Sequence, residues 1–293
     1  MALVVSLIAD PAKHPLDPAL VGSLRDAWGG GDVVWLSQGE AAEFAVPALP
    51  GNHVAVWSDV QGMGADLAIT EAAKRRKRLL LADMDSTVIV QECIDELADE
   101  AGVGDEVRGI TARAMNGELD FKEALRARVA LLEGLEVGVI ADALTNRITL
   151  AAGAKTLLAT LRARGVHTAL VSGGFTAFTS QVAQWLGFDE NRANTLIIKD
   201  GHLTGEVAEP ILGRDAKVAA LTEISGTLGI EPQEAVAVGD GANDLGMIHA
   251  AGLGVALHAK PAVAAEAPVR INHGDLTALL FLQGIPRAEF RTA

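Results

Sequence analysis

Three short runs of apolar residues end abruptly in polar or glycine-rich clusters. Leu79-Leu80-Leu81-Ala82 gives way to Asp83-Met84-Asp85-Ser86-Thr87, Val166 to Val171 to Ser172-Gly173-Gly174, and Ala235 to Val238 to Gly239-Asp240-Gly241-Ala242-Asn243-Asp244. Short, largely apolar runs of this kind predict strands buried on both faces, the habit of parallel sheets. Parallel strands point the same way, so the three polar ends would face one crevice at the carboxyl edge of the sheet. A helix is expected from about Arg214 to Leu228, carrying Lys217 between the second and third runs.

Between the first run and the helix before the second lies an insertion from about Cys93 to Leu150. Its apolar positions recur at helical spacing, with Ile94, Leu97 and Ala98 in one stretch and Leu125, Val129 and Leu132 in another. Gly102 and Gly104 interrupt the first pair of helices, and Asn116-Gly117 marks a turn before Phe121. The insertion therefore reads as a small helical cap. Further on, Thr195 to Lys199, Asp200-Gly201 and His202 to Val207 predict a β-hairpin with a type I′ turn. Val255 to Leu257 and Val269 to Ile271 supply two more scaffolding strands.

The first 70 or so residues form a separate pattern. It reads as strand (Ala2 to Ala9), helix (Pro18 to Trp28), strand (Asp32 to Leu36), strand (His53 to Trp57) and helix from Ala65 onward. Trp28, Trp35 and Trp57 fall here, enough to seed a modest core. The organisation expected is a small α+β domain over residues 1–73, a structural or dimerisation element by default, and an α/β core over 74–293 with its cap at about 93–150. The run Lys74-Arg75-Arg76-Lys77-Arg78 at the junction reads as a solvated helix end.

Composition narrows the class. At 293 residues the chain can bury more than one core, and its net charge of −14 argues against general nucleic-acid affinity. One cysteine, Cys93, leaves no internal disulfide and fits a reducing compartment, and it reads as a small core residue. Met1 to Ala9 lacks a basic n-region and no stretch reaches transmembrane length, so a cytoplasmic location without membrane contact is expected. The seven histidines are scattered without metal-ligand spacing.

Taken singly, the polar clusters have plain structural readings as caps, turns and a solvated lysine. Together, and in this order, they carry chemistry. Two carboxylates on the turn leaving a strand can share a hard cation while one attacks an electrophile and the other moves protons. These four motifs resemble those of the haloacid dehalogenase superfamily, and within it the phosphoserine phosphatases, from about Lys74 to near the C-terminus. The resemblance implies a Rossmann-like, mostly parallel sheet with an inserted helical cap.

It also implies roles. Asp83 would be the nucleophile that forms an aspartyl-phosphate, with Mg²⁺ ligated by the side chains of Asp83 and Asp240 and the backbone carbonyl of Asp85. The Asp85 side chain would be acid and then base. Ser172, the backbone near Gly173, Lys217 and Asn243 would hold the phosphoryl group, while Thr87 and Asp244 would support these groups from behind. In the cap, Glu92 would accept a substrate ammonium, Arg128 would clamp a carboxylate, and Met115 and Phe121 would close an apolar wall. The implied reaction is Mg²⁺-dependent hydrolysis of O-phosphoserine, the last step of phosphorylated serine biosynthesis. Alternatives are transfer to another acceptor, hydrolysis of another small phosphomonoester, or a non-catalytic amino-acid sensor.

Overall fold

The computed structural model describes residues 2–115 and 118–292, with side chains described except at Ala114 and Met115. The Asn116-Gly117 turn and the wall contact expected of Met115 lie outside the described residues. The N-terminal unit comprises β1 (Leu3–Ala9), α1 (Pro18–Ala27), β2 (Val34–Ser37), β3 (Ala41–Val46), α2 (His53–Gly62) and β4 (Ala65–Glu71). Its antiparallel sheet has the order β2-β3-β1-β4.

Two expectations are reversed in this unit and one strand is added. His53 to Trp57 is helical, not extended. Its apolar alternation mimics a strand, yet Val56, Trp57 and Val60 pack inward at helical spacing. Ala65 onward is a strand rather than a helix, because pairing along the whole of β1 outweighs the helix preference of its alanines. The alanine-rich β3 escaped notice for the same reason.

The core begins with β5 (Leu79–Ala82) and passes into four cap helices: α3 (Cys93–Glu100), α4 (Gly104–Met115), α5 (Phe121–Ala130) and α6 (Gly138–Asn146). It continues through α7 (Ala154–Ala163), β6 (His167–Phe175), α8 (Thr176–Leu186), β7 (Glu190–Asn194), β8 (Leu196–Lys199), β9 (His202–Val207) and α9 (Arg214–Leu228). It closes with β10 (Ala235–Gly239), α10 (Leu245–Ala250), β11 (Leu253–Leu257), α11 (Pro261–Glu266), β12 (Val269–Ile271) and α12 (Ala278–Leu282). Six strands form a parallel sheet in the order β12-β11-β10-β5-β6-β7, with β5 central.

The apolar character of these runs follows from burial on both faces. Leu79, Leu81, Ala169, Val171, Ala235 and Ala237 pack with Leu221 and Ile224 of α9 on one side. Leu80, Ala82, Leu170, Val236 and Val238 pack with Leu157, Leu161 and Phe178 of α7 and α8 on the other. The β8–β9 hairpin turns at Asp200 (φ 51°) and Gly201 (φ 81°), as its sequence predicts. It braces the cap, since Gly134 and Val137 donate their N–H groups to the Leu203 and Gly201 carbonyls.

The basic run at the junction is solvated only in part: Lys74, Arg76 and Arg78 are exposed, while Arg75 and Lys77 turn inward. It follows a single 3₁₀ turn, Ala72–Lys74. Arg75 makes a bidentate pair with Glu43 of β3 at 2.6 and 2.9 Å, and Lys77 is buried with its Nζ donating to the Gln233 carbonyl at 2.7 Å. Buried Asp66 of β4 accepts backbone N–H bonds from Asn272, His273 and Gly274. The face of the N-terminal sheet carrying Ile8, Ala41 and Ala68 packs into the same cluster as Leu279 and Phe281 of α12. Among the described residues, no helix is long and apolar enough to cross a membrane.

Candidate active site

Asp83 leaves β5 with its N–H still bonded to the Val238 carbonyl (3.0 Å), which sets it beside the end of β10. The following turn is tight. Ser86 adopts a left-handed φ of 54°, and Val88 and Ile89 both bond back to the Met84 carbonyl. This turn points Asp83 and Asp85 into one cleft.

Lys217 is buried one turn into α9, and its Nζ lies 2.7 Å from Asp83 Oδ1 and 2.5 Å from Asp244 Oδ1. The other oxygen of Asp244 accepts the Gly241 N–H at 2.9 Å, so one carboxylate holds both the lysine and the turn that carries Asp240. Asp83, Asp240 and Asp244 each offer an oxygen within 4.8 Å of the others. The Thr87 hydroxyl, expected to steady the Asp83 loop, reaches Asp240 Oδ1 at 3.4 Å.

Three buried carboxylates facing one ammonium leave the cluster anionic. Burial, then Asp244, pushes the Asp83 carboxyl well above its ordinary pKa, against the pull of Lys217. Asp240 is pushed up to about 7 by burial and Asp244. Burial works against the Lys217 ammonium, but Asp244 and Asp83 outweigh it and hold its pKa above the ordinary value. Asp85 accepts the Cys93 N–H at 3.2 Å, and burial followed by the nearby Glu92 raises it to about 7.

Ser172–Gly174, expected to follow the strand, is instead the irregular end of β6, where its register with β7 shifts, and it closes the opposite side. Ser172 is buried, and its Oγ accepts the Gly174 N–H at 2.8 Å. A Cβ on Gly174 would lie 2.6 Å from Asp85 Oδ2, and one on Gly173 would lie 3.0 Å from Phe121 and 3.6 Å from Asn243 Nδ2. Side chains therefore occupy the space that these two glycines leave open.

The cap contributes from above. Phe121, the first residue of α5, lies over Gly173 and Gly213. Arg128 is half-buried, its Nε donating to the Ala124 carbonyl and its Nη1 to Thr111 Oγ1 at 3.4 Å. Burial lowers its pKa while Glu92, Asp95 and Asp85 oppose the shift, so cap and core charges meet at this point.

A model of the haloacid dehalogenase-like hydrolases matches residues 80–249, more than half of the chain, including the three strand-end motifs and Lys217. The chain belongs to this family. A phosphoserine phosphatase of Streptomyces coelicolor is 43% identical over 86% of this chain, although the match spans only 62% of that relative. A haloacid dehalogenase-family hydrolase from Salmonella enterica serovar Typhi superposes with a TM-score of 0.87 at 29% identity, covering 96% of this chain and 98% of that one. A phosphoserine phosphatase solved as a phospho-aspartyl intermediate analogue is 44% identical, with a TM-score of 0.66 over 70% of this chain and 98% of that one.

Within this haloacid dehalogenase-like framework, the oxygen-only donor set and the excess of carboxylates suit a hard divalent cation. Sequence reasoning did not single out Ser86, Thr111 or Asp95. Ser86 Oγ donates to Glu92 Oε1 at 2.8 Å, and Thr111 meets Arg128. Their only sequence signal was position within the motif loop and the cap helices.

Proposed function

We propose that this chain is a Mg²⁺-dependent phosphatase that hydrolyses O-phosphoserine to serine and phosphate, the closing step of serine biosynthesis in the cytoplasm. The observation that carries this reading is that a carboxylate, Glu92, and a guanidinium, Arg128, lie within electrostatic reach of each other and of Asp85, placing an anion and a cation on the cap side of the carboxylate and lysine centre. Together they suit the ammonium and carboxylate of an amino acid. The names of the relatives support the same substrate.

Mg²⁺, held by the side chains of Asp83 and Asp240 and the carbonyl of Asp85, would supply charge neutralisation for an anionic phosphoryl group. Asp83 attacks phosphorus, forming a P–O bond as the ester P–O bond breaks. Asp85, with its carboxyl raised to about 7, holds the proton that the departing serine oxygen takes up. Water then attacks the aspartyl-phosphate, gives its proton to Asp85 and frees Asp83. Throughout, Lys217, Ser172, the backbone near Gly173 and Asn243 bind phosphoryl oxygens, while Asp244 keeps Lys217 aimed. Phe121 excludes water from the substrate side of the Ser172–Gly174 segment.

The test is phosphate release by purified protein with Mg²⁺, comparing O-phospho-L-serine with phosphothreonine and several sugar phosphates, alongside Asp83→Asn. Strong preference for phosphoserine, lost in the variant, is expected. Preference for another phosphate would overturn the cap assignment, and release that survives Asp83→Asn would overturn the nucleophile.

A further inference from the structure

Asn194 ends β7, outside every motif considered above, and is 2% exposed. Its Nδ2 donates to the Gly173 carbonyl at 2.8 Å and to the Leu212 carbonyl at 3.2 Å, while its Oδ1 accepts the Leu212 N–H at 2.7 Å. Only this orientation of the amide satisfies all three partners, because a flipped amide would set an N–H against an N–H.

Both partners adjoin the phosphoryl-holding groups. In a trans peptide the C=O and N–H point in opposite directions. Anchoring the Gly173 carbonyl on Asn194 therefore turns the Gly174 N–H the other way, onto Ser172 Oγ, where it is found. Clamping both backbone groups of Leu212 fixes the residue before Gly213, the N-cap of the helix whose first turn presents Lys217. A single buried amide thus ties the Ser172–Gly174 end of β6 to the start of the lysine helix.

We propose that Asn194 is a positioning residue for phosphate recognition, holding the serine-glycine end of β6 and the lysine helix in mutual register. The proposal rests on the phosphoryl-binding reading of this site. It concerns binding of the anion, and the identity of the rest of the substrate does not enter.

The test uses the full chain with Mg²⁺ and two variants. Asn194→Asp keeps the size and the bond from Leu212 N–H but turns both donated bonds into oxygen–oxygen contacts. Asn191→Ala, on the same strand, removes only the acceptor for the Thr179 hydroxyl and serves as a control for general destabilisation. Orthophosphate is the probe, read as thermal stabilisation and as the inhibition constant. Asn194→Asp is expected to weaken orthophosphate binding at least tenfold and to lower kcat/KM at least thirtyfold, while Asn191→Ala changes neither beyond twofold. If Asn194→Asp does not fold, Asn194→Ser carries the same comparison.

A variant that melts earlier but binds orthophosphate within twofold of the parent would overturn the proposal and leave Asn194 a purely structural residue. A parent protein that ignores orthophosphate would overturn it as well. A parent that binds orthophosphate yet does not hydrolyse phosphoserine would sink the substrate assignment alone.

Discussion

Replacing Gly174 by alanine tests the catalytic geometry with little disturbance of the fold. Gly174 has no left-handed φ, so alanine suits its backbone. The new methyl would stand 2.6 Å from Asp85 Oδ2 and 3.1 Å from Ser172 Oγ, against the 3.4 Å at which ordinary contact begins. Asp85 must therefore retreat by about 0.8 Å, while Ser172 gives way by a few tenths. Asp85 is anchored through its other oxygen to the Cys93 N–H, so the displacement falls on Oδ2, the oxygen left free to carry the proton. A misplacement of about 1 Å costs about 100-fold in rate, or about 2.7 kcal/mol of barrier. Steady-state phosphate release should show kcat reduced about 100-fold, with the melting temperature moved by no more than a few degrees. A kcat within about threefold of the parent would refute the placement of Asp85 as acid and base. A collapse in stability would show instead that the segment cannot absorb the methyl.

Other outcomes follow from the same geometry. Arg128→Lys keeps the charge but loses the planar fork, so KM for phosphoserine should rise about 10- to 100-fold, while turnover of a phosphomonoester without a carboxylate stays unchanged. A matching loss on both substrates would remove Arg128 from carboxylate recognition. For the metal-free protein, the folded pKa of Asp85 and of Asp240 is about 7 against 3.8 for the free side chain. The folded state therefore holds more protons between those values, and stability should fall as pH rises from about 4 to 7. Melts in a chelator at pH 5.5 and pH 8 check this, with Mg²⁺ expected to stabilise far more at pH 8; a higher melting point at pH 8 in the chelator would contradict it. Asp66→Ala strands the backbone N–H groups of Asn272, His273 and Gly274 at the junction between the two sheets. It should cost about 2–4 kcal/mol in denaturant unfolding, whereas a change below about 0.5 kcal/mol would show that water replaces the carboxylate.

Much of this architecture was legible along the chain because its causes are local. The runs at Leu79 and Ala235 are apolar without interruption, and Ala169 to Val171 is likewise apolar, because both sheet faces are covered, a pattern that marks a buried parallel strand. The limits of the lysine helix, Arg214–Leu228, and the hairpin turn at Asp200-Gly201 were likewise written in periodicity and turn chemistry. The strand-end motifs could be found for the same reason: each sits where an apolar run stops.

The N-terminal sheet was not legible in the same way. His53 to Gly62 and Ala65 to Glu71 carry weak and misleading local preferences, and their states are decided by pairing along β1 and packing of Val60. The basic run Lys74 to Arg78 looked like a solvated surface because its partners, Glu43, Gln233 and Gly284, lie far away in sequence. Asn194 is the clearest case. A lone asparagine at a strand end carries no pattern, and only the approach of Gly173 and Leu212 gives its amide a task. Sequence alone determined which elements carry acidic, basic and glycine-rich ends. The tertiary structure decided which side chains share a proton, an ammonium or a peptide plane, because those relations depend on distances of a few ångströms between segments that the chain keeps far apart.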